Sequence, residues 1–407
     1  MTKQEKYAKA LVKIGVNVQK GQTLVLSAPV ECAGFARLCA KYAYERGCRE
    51  VVMNWSDDYL SRQRFLYAES EVFDKAHEYR KVFTDSFSNE GAAFLHLYAR
   101  DPEALSGVDA DRIRRNQLSS MEAMKTYRLL QSANELQWCI ASVPIKAWAA
   151  KVFPEIPEDE AMEMLWDAIY KTVFVNETDD IVSLWNEHIM KTDARAKIMT
   201  DYNFKYLKYK NSLGTDLTVE LADNHKWAGG CETMTSGVRC CVNMPSYEIF
   251  TCPKKYGTNG VVYSSLPLEL NGSLIENFMF RIENGKIVEV NAEKNREILL
   301  DATKLDDGAS YLGEVALISY DSPISNQGIL FYNTLFDENA SCHIAFGEAI
   351  PCFTDADSVK NEEYEARGIN DSNTHVDFMI GTKDMSITGV THDGKEIPVF
   401  VDGNFAF

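Results

Sequence analysis

No run of apolar residues in the chain comes near the ~20 that a membrane-spanning helix needs. Positive charge is scarce: 42 Lys and Arg stand against 60 Asp and Glu, a net charge of −18. General binding to nucleic acid or to an anionic membrane needs a positive field, so both are excluded. The ten cysteines contain no C-x-x-C pair, which removes zinc-ribbon frameworks. G-x-G-x-x-G and G-x-x-x-x-G-K-[ST] are absent, and with them two common phosphate-cradling loops. G-x-S-x-G, the strand-to-helix elbow of many serine hydrolases, is absent too. Glu187-His188 has no second histidine at the spacing of H-E-x-x-H, so the zincin arrangement fails. Met1-Thr-Lys-Gln-Glu-Lys lacks the apolar core of a signal peptide. Together these absences predict a cytoplasmic protein whose thiols stay free and buried. Cys342, next to His343, is read as a packing residue on the same ground.

What is present is ordinary globular material, 45% hydrophobic and 25% charged. A chain of 407 residues exceeds one core, so two domains are expected. The acidic balance admits a cationic partner, such as divalent ions or a substrate amine, although solubility is its simplest role. Residues 2–14 predict an amphipathic helix through Tyr7, Leu11 and Ile14. Gly21–Ala28 predicts a buried strand, and a helix through Phe35, Leu38, Cys39 and Tyr42 ends near Gly47. Further strands are expected at 50–54, 81–84, 93–98 and 136–141, with helices at 158–174 and 179–199. Strands alternating with helices make a parallel sheet covered on both faces. The loop Ser27–Gly34 lies where such sheets bind ligands, but it carries no phosphate motif. His96, inside a strand, is expected to be a satisfied core histidine.

Near residue 200 the texture changes. Turn signals become dense, among them Asn259-Gly260, Asn271-Gly272, Asn284-Gly285, Asp393-Gly394 and Asp402-Gly403. Short β-rich runs lie between them, including 217–221, 260–263, 277–282, 286–290 and 398–401. This is hairpin grammar. The expected organisation is an α/β domain with a parallel sheet over 1–195, then an α+β, largely antiparallel β-rich domain over 196–407.

The chemistry gathers in the second part. His375 and Asp377 are two apart in H-V-D-F-M-I-G, so on a strand they project from one face with Val376 on the other. His343 lies in N-A-S-C-H-I-A-F-G, Glu314 in Y-L-G-E-V-A, and Glu248 in N-M-P-S-Y-E-I-F-T. A carboxylate inside an apolar run is costly unless it is paired, hydrogen-bonded or metal-bound. Each alone is more often a salt-bridged or edge-strand residue. As a set, Glu, Glu, His, His and Asp are the ligand types of a dinuclear hydrolase. Three carboxylates and a bridging hydroxide would neutralise two divalent ions.

These four motifs, in this order, with K-G-Q-T-L-V-L near the N-terminus, resemble the thermophilic-type metalloaminopeptidase family (aminopeptidases T and S and PepS-like enzymes). The resemblance spans essentially the whole chain. It implies a homodimer of two-domain subunits, with two divalent ions (zinc, cobalt, manganese or magnesium) in the C-terminal domain. It also implies hydrolysis of N-terminal residues from peptides with a free N-terminus. The implied ligands are Glu248, Glu314, His343, His375 and Asp377, with Glu314 bridging both ions and handling the proton.

One departure matters. The family carries a tyrosine seven residues after the first histidine, thought to donate to the oxyanion; here that residue is Ile350. Isoleucine cannot donate a hydrogen bond. Loss of one such donor costs about 3 kcal/mol of transition-state stabilisation. Three readings stay open: the metal alone suffices, Tyr311, Tyr320 or Tyr332 substitutes, or the protein is a weakened homologue that binds metal or peptide. Tyr247 stands where the family usually has an acidic residue. A dinuclear phosphoesterase is disfavoured, because these motifs bring no basic residues for a phosphate. Of the other histidines, His188 is read as a helix-interface residue, His225 as lining a pocket or the surface, and His77 and His392 as exposed.

Overall fold

The computed structural model describes residues 1–176, 180–270, 273–356 and 359–407. The Asn271-Gly272 turn and the first residue of the 179–199 helix lie outside the described residues. The chain forms two compact units, Met1–Glu187 with Cys231–Pro245, and His188–Gly230 with Ser246–Phe407.

The first unit is built on a parallel sheet. Its strands are β1 (Thr23–Pro29), β2 (Glu50–Ser56), β3 (Ala93–Leu97) and β4 (Trp138–Ala141), joined at one edge by the short strand Asn243–Met244. The order is Asn243–Met244, β4, β3, β1, β2, with every pair parallel. β1 reads T-L-V-L-S-A-P and is buried almost throughout, as expected of a central parallel strand covered on both faces. Thr2 and Glu5 form a reciprocal capping box at the first helix, Lys3–Ala10. The helix Ala33–Glu45 stops where the chain turns left-handed, and Gly47, at φ +85, supplies that conformation. Cys48 N donates to Ala43 O and Gly47 N to Tyr44 O, the paired bonds of a Schellman ending.

Two expectations fail here. Residues 81–84 are helical, within Glu78–Asn89. Their two apolar residues, Val82 and Phe83, do not distinguish strand from helix. Phe83 and Phe87, four apart and packed edge to face, show the helical period that decided it. The thiols are not all free: Cys231 and Cys241 are joined in a disulfide. They sit directly opposite each other in the ribbon Cys231–Thr233/Arg239–Cys241, a register that the sequence does not display. The other eight cysteines are free.

The second unit is antiparallel. A larger sheet carries the hairpin Ser273–Glu283/Lys286–Lys294, whose turn residues Asn284 and Gly285 both have positive φ. Asn259-Gly260, by contrast, is no turn. It lies inside the strand Pro253–Tyr263, and a Cβ on Gly260 would meet Asp216 O at 2.2 Å, so the glycine serves close strand approach. The smaller sheet runs His375–Met379, His343–Gly347, Leu312–Leu317, Ile249–Thr251, Ala228–Gly229. One face of it packs on the larger sheet through aromatic contacts such as Phe280 with Phe346 and Phe278 with Phe378. The opposite face carries the chemistry. No helix among the described residues is long and apolar enough to cross a membrane.

Candidate metal centre

Strand alternation delivers four of the five expected ligands. Val376 and Phe378 turn towards the core, which leaves His375 and Asp377 on the other face. Ile344 and Phe346 do the same for His343. Glu248 immediately precedes the strand Ile249–Thr251, whose Ile249 faces the core.

Glu314 needs a further device. The ladder pairs Leu312 with Phe346 but Glu314 with Ala345, so the chain fits one extra residue, Gly313, against its partner. In a regular ladder Gly313 would oppose Ala345, and Glu314 would oppose Ile344 in the core. The bulge turns Glu314 onto the row of Ala345 and Asp377. Only glycine fits at the bulge: a Cβ there would lie 2.1 Å from Glu348 O.

The five side chains converge. His343 Nε2 lies 3.3 Å from Glu248 Oε2, 3.9 Å from Glu314 Oε1 and 3.9 Å from Asp377 Oδ1. His375 Nε2 lies 3.1 Å from Glu314 Oε2 and 3.3 Å from Asp377 Oδ1. Two sets of donor atoms each fall within 4.8 Å: Glu248, Glu314 and His343, and Glu314, His375 and Asp377. Glu314 belongs to both. Each imidazole donates from Nδ1 to a main-chain carbonyl, His343 to Glu338 O and His375 to Glu348 O, both at 2.8 Å. That fixes each ring with its Nε2 lone pair aimed into the cluster, the usual arrangement of a metal-binding histidine.

Electrostatics ask for cations. Glu248, Glu314 and His343 are buried, at 6%, 3% and 2% exposure, so water does not screen them. Burial and the Glu314 and Asp377 charges push the Glu248 carboxyl up to about 7, against the pull of His343. Burial alone would lower both imidazoles, but the surrounding carboxylates outweigh it and raise them, His375 strongly. Burial likewise opposes the Asp377 anion, yet His375 and His343 hold its carboxyl below the usual range. Oxygen and imidazole donors under an excess of negative charge suit divalent zinc, cobalt or manganese.

Sequence reasoning does not reach Glu338. It is buried, and burial with the charges of Asp377, Glu248 and Glu314 pushes its carboxyl well above the usual range. It therefore stands within electrostatic reach of those three carboxyls, outside both donor sets. Its one signal in the sequence is that it lies five residues before His343, in the same segment Asp337–Gly347. Asp337 itself faces elsewhere, accepting the N–H groups of Phe331 and Asn333.

Ile350 packs with Phe250, Ala316 and Ile318, in the same small apolar group as Tyr247. Ala316 pairs with His343 in the ladder, so this group borders the cluster. Burial raises the Tyr247 phenol, and its ring meets His188 edge to face. Tyr311 packs edge to face on Tyr256 under Lys255, and Tyr320 is exposed. Tyr332 has a backbone φ of +52, held where Asp337 grips its neighbours. His188 Nε2 lies 2.7 Å from Ser246 O, two residues before Glu248. His225 is buried, with Nδ1 donating to Ala222 O, and is not on the surface. His96 Nε2 lies 2.9 Å from the Tyr127 hydroxyl, and His77 and His392 are both exposed, as expected.

Comparison with known proteins identifies the family. The sequence pattern of the thermophilic metalloprotease (M29) family matches residues 1–405. Aminopeptidase AmpS of Bacillus subtilis (strain 168) is 42% identical, over 98% of this chain and 98% of its own. Aminopeptidase PepS of Streptococcus thermophilus is 39% identical, over 98% of this chain and 97% of its own. The solved structure of wild-type AmpT from Thermus thermophilus superposes with a TM-score of 0.93 at 36% identity, covering 100% of this chain and 99% of that one. With its whole length matched in sequence and in fold, the chain belongs to the thermophilic metalloprotease (M29) family.

Proposed function

We propose that the protein is a metal-dependent aminopeptidase that removes N-terminal residues from peptides at a dinuclear centre. The observation that carries this reading is the pair of three-donor groups sharing Glu314. Glu248, Glu314 and His343 would hold one divalent ion, and Glu314, His375 and Asp377 the other. Bound there, the ions supply a bridging hydroxide nucleophile near neutral pH and polarise the scissile carbonyl. The chain's own groups do the rest. The main-chain carbonyls of Glu338 and Glu348 keep both imidazoles in the ligating tautomer. Burial of Glu248, Glu314 and His343 excludes competing water. Glu314 takes the proton released on attack and delivers it to the leaving amine. Its deep placement on a strand, aimed by the Gly313 bulge, supports a role that needs a fixed carboxylate.

The protein acts as a cytoplasmic homodimer in this reading, and its mass in solution by light scattering tests the dimer. The alternative, a weakened homologue that binds metal or peptide without turnover, rests on Ile350 alone. The relatives at 36–42% identity are all named aminopeptidases, which supports the enzyme. The test is release of the N-terminal residue from aminoacyl anilides and short peptides after reconstitution with Co2+, Zn2+ or Mn2+. Parent activity with loss in Glu314→Gln supports the proposal. Metal uptake without turnover across a broad panel of N-terminal residues refutes it.

A further inference from the structure

Three pieces of chain meet behind His375: the turn 306–309, the strand end at 347–348, and the loop 370–374. The loop leads straight into the strand that carries His375 and Asp377. Asp306 ties the first piece to the third. Its Oδ1 accepts from Gly308 N at 3.0 Å and Ala309 N at 2.8 Å, which closes its own turn. The same oxygen accepts the Ser372 hydroxyl at 2.8 Å. Its Oδ2 accepts Asn373 N at 2.6 Å and Asn373 Nδ2 at 3.1 Å. A turn-forming aspartate needs only the first two of these bonds. The other three reach a segment more than sixty residues away in sequence. Burial works against the charge, but these donors hold the Asp306 carboxyl below its usual range.

The backbone is shaped for this clasp. A Cβ on Gly308 would meet Asp371 O at 1.9 Å, so the turn and the loop touch only because residue 308 is glycine. Asn370, fully buried, donates to Gly308 O at 2.8 Å and to Gly347 O at 2.6 Å. Gly347 pairs with His375 across the ladder. Glu348 then completes the circuit. Its N–H donates to Thr374 O at 2.6 Å, and its carboxylate accepts Ser372 N at 2.6 Å. Its carbonyl is the acceptor for His375 Nδ1. The residue that orients the imidazole is thus gripped by the loop that Asp306 pins.

We propose that Asp306 is a positioning residue for the metal centre, acting through Ser372 and Asn373 to fix His375 and Asp377 as ligands. This rests on the dinuclear reading above. Asp306 touches neither ligand, so its effect is on the site next to it, the one made by Glu314, His375 and Asp377. The set made by Glu248, Glu314 and His343 draws no ligand from the clasped loop. Partners that orient metal ligands in this way are worth about 10- to 100-fold in metal affinity.

The experiment is a Co2+ titration of full-length parent, Asp306→Asn and Ser372→Ala, followed by visible absorption and by calorimetry. Asp74→Asn, which alters an exposed ion pair with Arg115 in the first unit, is the control. The expected result is two Co2+ in the parent and control. In Asp306→Asn one of the two weakens about 10- to 100-fold with an altered spectrum, while the other is unchanged. Ser372→Ala shifts the same ion in the same direction by less, and decides the matter if Asp306→Asn does not fold. Activity lost in the variants returns at high Co2+ with KM unchanged. Two ions bound by both variants as tightly as by the parent overturn the proposal. A parent that binds no Co2+ overturns the dinuclear reading itself, and this proposal with it.

Discussion

Substituting Gly313 by alanine puts the aim of Glu314 directly to the test. The added Cβ would lie 2.1 Å from Glu348 O, 2.6 Å from Glu348 C and 2.6 Å from Gly347 O. All three are backbone atoms, so no side chain can swing away. Ordinary contact demands a shift of about 1 Å, and overpacking of that kind costs about 1–3 kcal/mol. The chain has two ways to respond. The strands can part locally, moving Glu314 away from His343 and His375. Alternatively the bulge can be expelled, which turns Glu314 from the ligand face into the core opposite Ile344. A lone carboxylate buried there costs several kcal/mol more. Either response disrupts both donor sets, because Glu314 belongs to both. A misplacement near 1 Å at a reacting centre costs about 100-fold in rate. The assay pairs kcat/KM on an aminoacyl anilide with urea unfolding and Co2+ titration. Gly34→Ala is the control, since nothing lies within 4 Å of a Cβ at that helical position. Expected are loss of stability by about 1–3 kcal/mol, weakening of both ions and a fall of about 100-fold in kcat/KM. Parent-like metal affinity and turnover in Gly313→Ala would refute the role of the bulge.

Ile350→Tyr restores the phenol that the family resemblance implies, at the rim of the cluster, and raises kcat by about tenfold or more in steady-state kinetics. Metal uptake must displace protons from the raised Glu248 carboxyl and the raised imidazoles, so the apparent Kd for Co2+ rises as pH falls from 8 to 6, by about tenfold per pH unit for each proton displaced. At about 100-fold excess over Kd the ion stabilises the fold by about 2.7 kcal/mol, which a chelator removes, as thermal unfolding reports. In the first unit, burial lowers the His96 pKa to about 4 from an ordinary 6.5. Its neutral ring therefore contributes stability that is complete above pH 6.5 and is lost as pH falls from there through 4. Denaturant unfolding should lose about 2–3 kcal/mol between pH ~7 and ~4.5 from this group, and His96→Gln should remove that share of the slope.

The sequence displayed the ligand strands well because their logic is local. Period-two alternation in H-V-D-F-M and H-I-A-F-G places the donors on one face without reference to the rest of the chain. Long-range causes were not visible in that way. Glu314 points into the site only because Gly313 yields to a carbonyl from another strand. Glu338 carries no local pattern that marks it, and it is buried by tertiary packing. The stretch 81–84, with only Val82 and Phe83 apolar, was too short to show its period, and the glycine of Asn259-Gly260 answers to a neighbouring strand instead of a turn. The register that faces Cys231 with Cys241 is likewise set by pairing, not by spacing. The parallel and antiparallel halves were legible for the opposite reason: continuous apolar strands between helices and dense Asn-Gly and Asp-Gly turns are both short-range signals.

The central claim is that Glu314 sits between two divalent ions. Anomalous diffraction from crystals equilibrated with Co2+ or Zn2+ tests it most directly. Two peaks are expected in the second unit, both against the Glu314 carboxylate, one also against Glu248 and His343 and the other against His375 and Asp377. A single peak, or peaks that leave Glu314 without a metal neighbour, would contradict it.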